Sequence, residues 1–327
     1  MVYWYTTYHR EVVVYHERVK RALESVVTIN VTPFGDDGGV DTEAYTRVLA
    51  RVVDAGITAV TPNGNTGEFY SLSADELALA VKLTAETVGG GVTVITGVGL
   101  DAATAAAQAR TAAGAGAHGV MVHQPVHPYQ SLDGWVAYHR EVAHAVPDLG
   151  VVCYVRNPLV TAPAYAALAE ACPNVVGVKY SVPDPLALPG LVAAVGAGRL
   201  TWVCGLAETW APFLWLGGAR GFTSGLANVA PRRSLDLLAH LRSGDTGPAM
   251  AVWSLLKPFE DMRARAGSAA NVSVVKEALA QLGLCRPAVR PPISELSPAE
   301  REEVTRILAT IVDPADQTAP VPAGRPV

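Results

Sequence analysis

Cysteine is sparse here: Cys153, Cys172, Cys204 and Cys285 lie far apart in 327 residues, with no CxxC pair. That spacing excludes a disulfide framework and a zinc-binding cluster, and fits buried or inert thiols in a reducing cytoplasm. No run approaches the ~18 consecutive apolar residues of a membrane helix. The opening MVYWYTTYHREVVVYHERVKR lacks a positive segment followed by an apolar one, so it is not a secretory signal. Positive charge is not in excess: 25 Lys and Arg face 30 Asp and Glu, for a net charge of −5. This leaves no electrostatic footprint for nucleic acid. GAGAHG (114–119) spells GxGxxG, but it follows a helical pattern and precedes a strand, the reverse of the dinucleotide context. There is no Walker loop and no GxSxG elbow. His123 and His127 are four apart, yet Pro125 between them prevents a shared helical face, so no metal site is expected. What remains is an acidic, cytoplasmic globular protein, 50% hydrophobic, with ample material for a large core.

Short β-branched runs fall at 26–32, 57–62, 92–98, 119–123, 150–154, 175–179, 200–205 and 221–225. Alanine-rich helical patterns lie between them, some with clear start signals. Asp41 precedes helically spaced Tyr45, Val48, Leu49 and Val52; Ser73 with Glu76 forms a capping box; Asp101 caps the next segment. Eight strand–helix units over ~200 residues predict a closed (β/α)8 TIM barrel at 25–230. A doubly wound open sheet is the competing arrangement, but it would want a ligand fingerprint after its first strand. Beyond 230 the pattern is helical only, near 231–243, 247–263, 270–283 and 297–311, which predicts a C-terminal helical region over 231–312. Residues 1–24 match no barrel unit and read as an extension, either an extra helix or an arm against a partner subunit. The proline- and alanine-rich segment 313–327 reads as a disordered tail.

The chain has only five lysines against twenty arginines, so a lysine ending a buried strand is informative. Lys179 closes VVGVK (175–179) and Tyr154 closes GVVCY (150–154), which a barrel would make neighbours over one pocket. A desolvated amine loses its proton, whereas guanidinium effectively does not. A neutral lysine attacks a carbonyl carbon to form a Schiff base, and a phenol beside it relays protons. The competing reading of Lys179 is a structural ion pair at the barrel rim. PNGNTGEFYSLS (62–73) follows the second strand and sets glycines around polar residues ahead of a capped helix, an arrangement suited to a carboxylate or phosphate.

Taken in order, VTPFGDDGGVD, GNTGEFYSLS, Tyr154, PNVVGVK with Lys179, GARGFTSGLANVAP, VKEALAQLG and RPPISELSPAE resemble the dihydrodipicolinate synthase/N-acetylneuraminate lyase superfamily over roughly residues 25–312. The resemblance implies a (β/α)8 barrel with C-terminal helices, assembled as a homo-oligomer, and a lysine imine with a 2-oxo acid in place of any cofactor. Carried over by position, Lys179 is the imine lysine and Tyr154 the proton relay. Thr66 with the Gly64–Gly67 backbone would bind the substrate carboxylate, and Gly205, Thr223 and Ser224 would line the pocket.

Departures from the family pattern narrow the substrate. The synthases usually read GTTGE, and here Asn65 replaces the first threonine. Their interface tyrosine pair is absent after the fourth strand, where Pro125 is followed by Val126 and His127; Tyr129 or His127 is left as a substitute. Leu159 stands where they carry an arginine for the aldehyde substrate's carboxylate, and Arg156 lies two residues after Tyr154. Without that arginine a charge-assisted carboxylate contact is lost. GxTGEF(F/Y)SL and Y-x-R look more like 5-dehydro-4-deoxyglucarate dehydratase, although GVKYS departs from the GFKDG typical there. The expectation is a Schiff-base lyase, dehydratase or aldolase, on a 2-oxo sugar acid. Lys179 is its nucleophile, Tyr154 its relay, Asn65 and Thr66 its carboxylate loop, and Arg156 its contact with the far end. Dihydrodipicolinate-type synthesis and a catalytically idle acid-binding relative are the alternatives.

Overall fold

The computed structural model describes residues 15–196 and 198–313. Residues 1–14 of the expected N-terminal extension and 314–327 of the expected tail lie outside them. Eight parallel strands close into a barrel in sequence order. They are β1 (Val26–Ile29), β2 (Ala59–Thr61), β3 (Thr93–Val98), β4 (Gly119–Val122), β5 (Gly150–Val155), β6 (Val175–Tyr180), β7 (Thr201–Cys204) and β8 (Gly221–Ser224). The ring shuts where Val26, Val27 and Thr28 pair with Phe222, Thr223 and Ser224. An open sheet is thereby replaced by one with no edges.

Residues 15–23 are helical and are called α1. The outer layer is α2 (Thr42–Asp54), α3 (Ala74–Val88), α4 (Ala102–Gly114), α5 (Leu132–Ala145), α6 (Ala162–Ala171), α7 (Ala187–Val195), α8 (Ala207–Leu216) and α9 (Pro231–Ser243). The Asp41 and Asp101 caps and the Ser73–Glu76 capping box form as the sequence predicts. Counted by units, α9 is the eighth barrel helix, and the helices added after it are α10 (Thr246–Ser268), α11 (Asn271–Gln281) and α12 (Pro298–Ile311).

Three apolar clusters hold the layers together. The largest lies between strands and outer helices, the second packs α10–α12 against Val31, Leu226 and Val229, and the third fills the barrel. The third contains Val19 and Leu23 of α1 beside Val152, Tyr154, Val176 and Val203. Residues 15–23 therefore plug the base of the barrel. The strands meet this plug at glycines: a Cβ on Gly150 would lie 2.7 Å from Val19 Cβ, and one on Gly177 would collide with Leu23. Arg18 fastens the plug by donating to the carbonyls of Gly90 and Val92, each at 2.8 Å.

The β5–β6 pairing carries an irregularity that matters for the site. Val151 pairs with Val175 but Val152 pairs with Gly177, so Val176 is an extra residue, a β-bulge. Val175 and Val178 both pack outward against the helices. Strict alternation from Val175 would send Lys179 outward too. The bulge shifts the phase by one residue and turns Lys179 inward, in register with Tyr154.

Candidate active site

Lys179 and Tyr154 reach the C-terminal end of the barrel side by side, the ammonium nitrogen 4.3 Å from the centre of the phenol ring. They line a cavity of about 260 Å³ with Asn65, Thr66, Arg156, Gly205 and Thr223. Lys179 is only 5% exposed and has no carboxylate partner among the described residues, so the rim ion-pair reading does not hold. Burial pushes its pKa down to about 7; Cys204 opposes the shift, while the positive charges of Arg156 and Arg263 add to it. Gly205 is small for a reason, because a Cβ there would fall 2.8 Å from Lys179 Cγ and against the Ser181 hydroxyl.

Tyr154 is raised above the ordinary phenol range, mainly by burial. It is therefore a neutral O–H at physiological pH. Asn65 Nδ2 donates to its oxygen at 3.2 Å, and Asn65 Oδ1 is buried with no partner among the described residues. Asn65 thus stands beside the phenol, where the synthase pattern has threonine.

The GNTGE segment folds as a 3-10 turn, Asn65–Gly67, after an extended Gly64. Gly64 and Gly67 do not line the cavity; they let the turn press against β1, since a Cβ on Gly67 would sit 2.8 Å from the Asn30 carbonyl and one on Gly64 would strike Ile29. Thr32 Oγ1 donates to the Gly67 carbonyl at 2.8 Å and fixes the turn from below. Thr66 is left facing the cavity.

Other expected positions are elsewhere. Ser224 is fully buried outside the cavity; its hydroxyl donates to Glu208, as does that of Ser234. Burial and the neighbouring Glu260 raise the Glu208 carboxyl, favouring its protonated form. Leu159 is 72% exposed and Tyr129 85% exposed, and the His127 ring bonds to the Tyr129 backbone. His123 stacks on Phe69 at 4.2 Å and bonds to the Asn63 carbonyl at 2.9 Å, behind Tyr154 rather than in the cavity. Its pKa falls to about 4 through burial, so it is a neutral packing group.

One wall of the cavity does not come from the barrel. Glu260, Asp261, Arg263, Ala264 and Ser268 of α10, with Asn271 of α11, close the mouth. After Arg263 the α10 backbone leaves helical geometry at Arg265, Ala266 and Gly267, which turns the chain toward α11. From α11, Lys276 forms a fully buried ion pair with Glu68 and donates to the Ala288 carbonyl at 2.8 Å. Glu68 also accepts from the Arg290 N–H at 2.9 Å, and Arg290 pairs with Glu76 at 2.6 Å. The C-terminal region therefore holds the GNTGE turn in place. Nothing about helical spacing at 247–263 marked Arg263 or Glu260 as cavity residues; the one available signal was that both are charged positions on a helix with a buried face.

Comparison with known proteins agrees with this geometry. The profile of the Dihydrodipicolinate synthetase family matches residues 22–311. The chain belongs to that family. Curated relatives include the "probable 5-dehydro-4-deoxyglucarate dehydratase" of Rhodococcus opacus, 34% identical over 88% of this chain and 94% of its own. The protein of the same description from Saccharopolyspora erythraea is 35% identical over 87% and 93%. Among solved structures, the dihydrodipicolinate synthase of Oceanobacillus iheyensis superposes with a TM-score of 0.86 at 36% identity, covering 90% of this chain and 98% of its own. That of Bacillus clausii gives 0.85 at 38% identity, over 89% and 98%. This family member is accordingly a lyase with a TIM-barrel scaffold. Among its described residues no helix is long and apolar enough to cross a membrane.

Proposed function

We propose that the protein is a Schiff-base dehydratase acting on a 2-oxo deoxy sugar acid of the 5-dehydro-4-deoxyglucarate type. The observation that carries this reading is the Lys179 amine: desolvated, without a carboxylate partner among the described residues and resting on a neutral phenol. At neutral pH such an amine spends a large fraction of its time uncharged. It adds to the ketone carbon, the ketone oxygen departs as water, and a protonated imine remains. The imine withdraws electrons and acidifies the adjacent C–H; once that proton is removed, the hydroxyl one carbon further leaves as water. Tyr154 carries protons between these positions, and Asn65 orients its oxygen. Hydrolysis of the imine frees the product and restores Lys179.

Two features favour a sugar acid over aspartate semialdehyde. Leu159 offers no charge and faces solvent, whereas Arg156 stands at the cavity and supplies a cation for the far end of a longer acid. The lysine itself acts as the electron sink, so no metal or dissociable cofactor enters this scheme. We further propose a cytoplasmic homo-oligomer, its assembly supported by the exposed Leu186, just before α7, and Leu216, at the end of α8, at 89% and 87% exposure.

Borohydride reduction in the presence of pyruvate tests the core of the proposal. The expected result is a stable adduct on the peptide containing Lys179, absent from Lys179→Ala. No adduct at saturating pyruvate would support an idle acid-binding relative instead. Turnover of 5-dehydro-4-deoxyglucarate, measured against pyruvate plus aspartate semialdehyde, then separates dehydratase from synthase.

A further inference from the structure

We infer that Arg263, delivered from α10 outside the barrel, grips the carboxylate next to the reacting ketone together with Thr66. The assignment rests on the reading of Lys179 given above and deepens it by naming a substrate-binding cation.

Three observations carry it. The first is position. Arg263 is only 6% exposed, yet it lines the cavity shared by Lys179, Tyr154 and Thr66. The second is the shape of the chain beneath it. A Cβ on Gly225 would lie 3.0 Å from Arg263 Cζ and 3.2 Å from Thr66 Oγ1, and would clash with Arg263 Nη2. The guanidinium and the Thr66 hydroxyl thus approach one point just after β8, close enough together for one carboxylate to accept from both. Gly225 is the empty space that admits the guanidinium.

The third observation is how the guanidinium is held. Its Nε donates to Asn271 Oδ1 at 3.1 Å and Nη2 to the same oxygen at 2.6 Å, while Nη1 donates to Glu260. Arginine has five N–H groups in a rigid fork. Three are engaged here, and Nη1 and Nη2 each keep one that no described residue accepts. A purely structural arginine joining α10 to α11 would need only Asn271 and Glu260. It would not need a missing side chain at position 225 or a place beside Thr66.

The charge fits the task. Glu260 compensates much of the cation when the site is empty, which limits the cost of burying it. An arriving carboxylate then meets a pre-oriented, desolvated donor, the setting in which charge-assisted bonds are strongest.

Pyruvate and hydroxyacetone separate this assignment from its rivals, since both form imines but only pyruvate carries the carboxylate. Arg263→Ala is expected to raise the pyruvate concentration for half-maximal borohydride trapping about tenfold or more. Hydroxyacetone trapping should stay unchanged. Gly225→Ala, which displaces the guanidinium without removing it, should show the same pyruvate-selective loss, and Arg263→Lys should recover part of it. Melting curves establish that each variant is folded; if Arg263→Ala is not, the Gly225→Ala and Arg263→Lys pair decides. An equal shift for both ketones would make Arg263 a scaffold residue and overturn the assignment. No shift for either would place it away from the reacting carboxylate and overturn it as well. A wild-type protein that forms no pyruvate adduct would sink the reading of the whole site, an outcome distinct from an adduct whose concentration dependence ignores Arg263.

Discussion

At the scale of single residues, the proposed chemistry turns on an amine whose proton is weakly held. Burial lowers Lys179 to about 7, and only the deprotonated form attacks a ketone. Imine formation should therefore accelerate as pH rises through about 7 and level off above it; below the midpoint it falls about tenfold per pH unit, following the neutral fraction. Arg156 contributes to the depression, so Arg156→Met should move the midpoint upward, toward the ordinary lysine value. Pre-steady-state trapping across pH 5–9, with the variant in parallel, measures both. A midpoint that stays above about 9 in the wild type would mean the amine is solvated. The scarcity of lysine pointed to Lys179 before any coordinates, and the strand-end position of Tyr154 did the same. Asn65 and Thr66 were legible from the polar, glycine-flanked turn. Ser224 was misplaced because neighbours on a strand face opposite ways: Thr223 takes the cavity side and Ser224 is left to Glu208.

Secondary elements were readable where periodicity and caps agree, as at Ser73–Glu76 and Ser297–Glu300, both of which form capping boxes. The bulge at Val176 was not readable. VVGVK is apolar on both faces, so its pattern holds no record of which residue is extra, and plain alternation would have aimed Lys179 away from Tyr154. The use of α11 was equally hidden, because a lysine in VKEALAQLG looks solvent-exposed until the fold buries it against Glu68. That pair gives an element-scale prediction. Both side chains are fully buried, and Glu68 anchors the turn carrying Thr66. Lys276→Met leaves an uncompensated buried carboxylate and should destabilise the protein by about 3–5 kcal/mol. Lys276→Met with Glu68→Gln together should recover much of that loss. Denaturant midpoints for both, at constant m, provide the check.

At the scale of the molecule, the barrel and the C-terminal helices form one functional unit. Each supplies a wall of the cavity, and the buried Lys276–Glu68 pair spans the two. Ligand capture should therefore be felt in both. After borohydride fixation of pyruvate, amide hydrogen exchange is expected to slow in 260–276 as well as in 64–67 and 175–180. Slowing confined to the barrel segments would mean that α10 and α11 take no part in holding the ligand. The expected division near residue 230 falls at the end of the last strand unit, whereas α9 still completes the barrel and the added helices begin with α10; pattern could not show that those helices fold back over the mouth.

Because Val19 and Leu23 stopper the lower end and apolar side chains fill the shaft above them, the described residues leave this barrel open at one end. In the proposed reaction, incoming acid, departing water and finished product would all use the end lined by Arg156 and Arg263. Spent molecules must vacate the chamber before fresh ones enter, so the last one out governs the next one in.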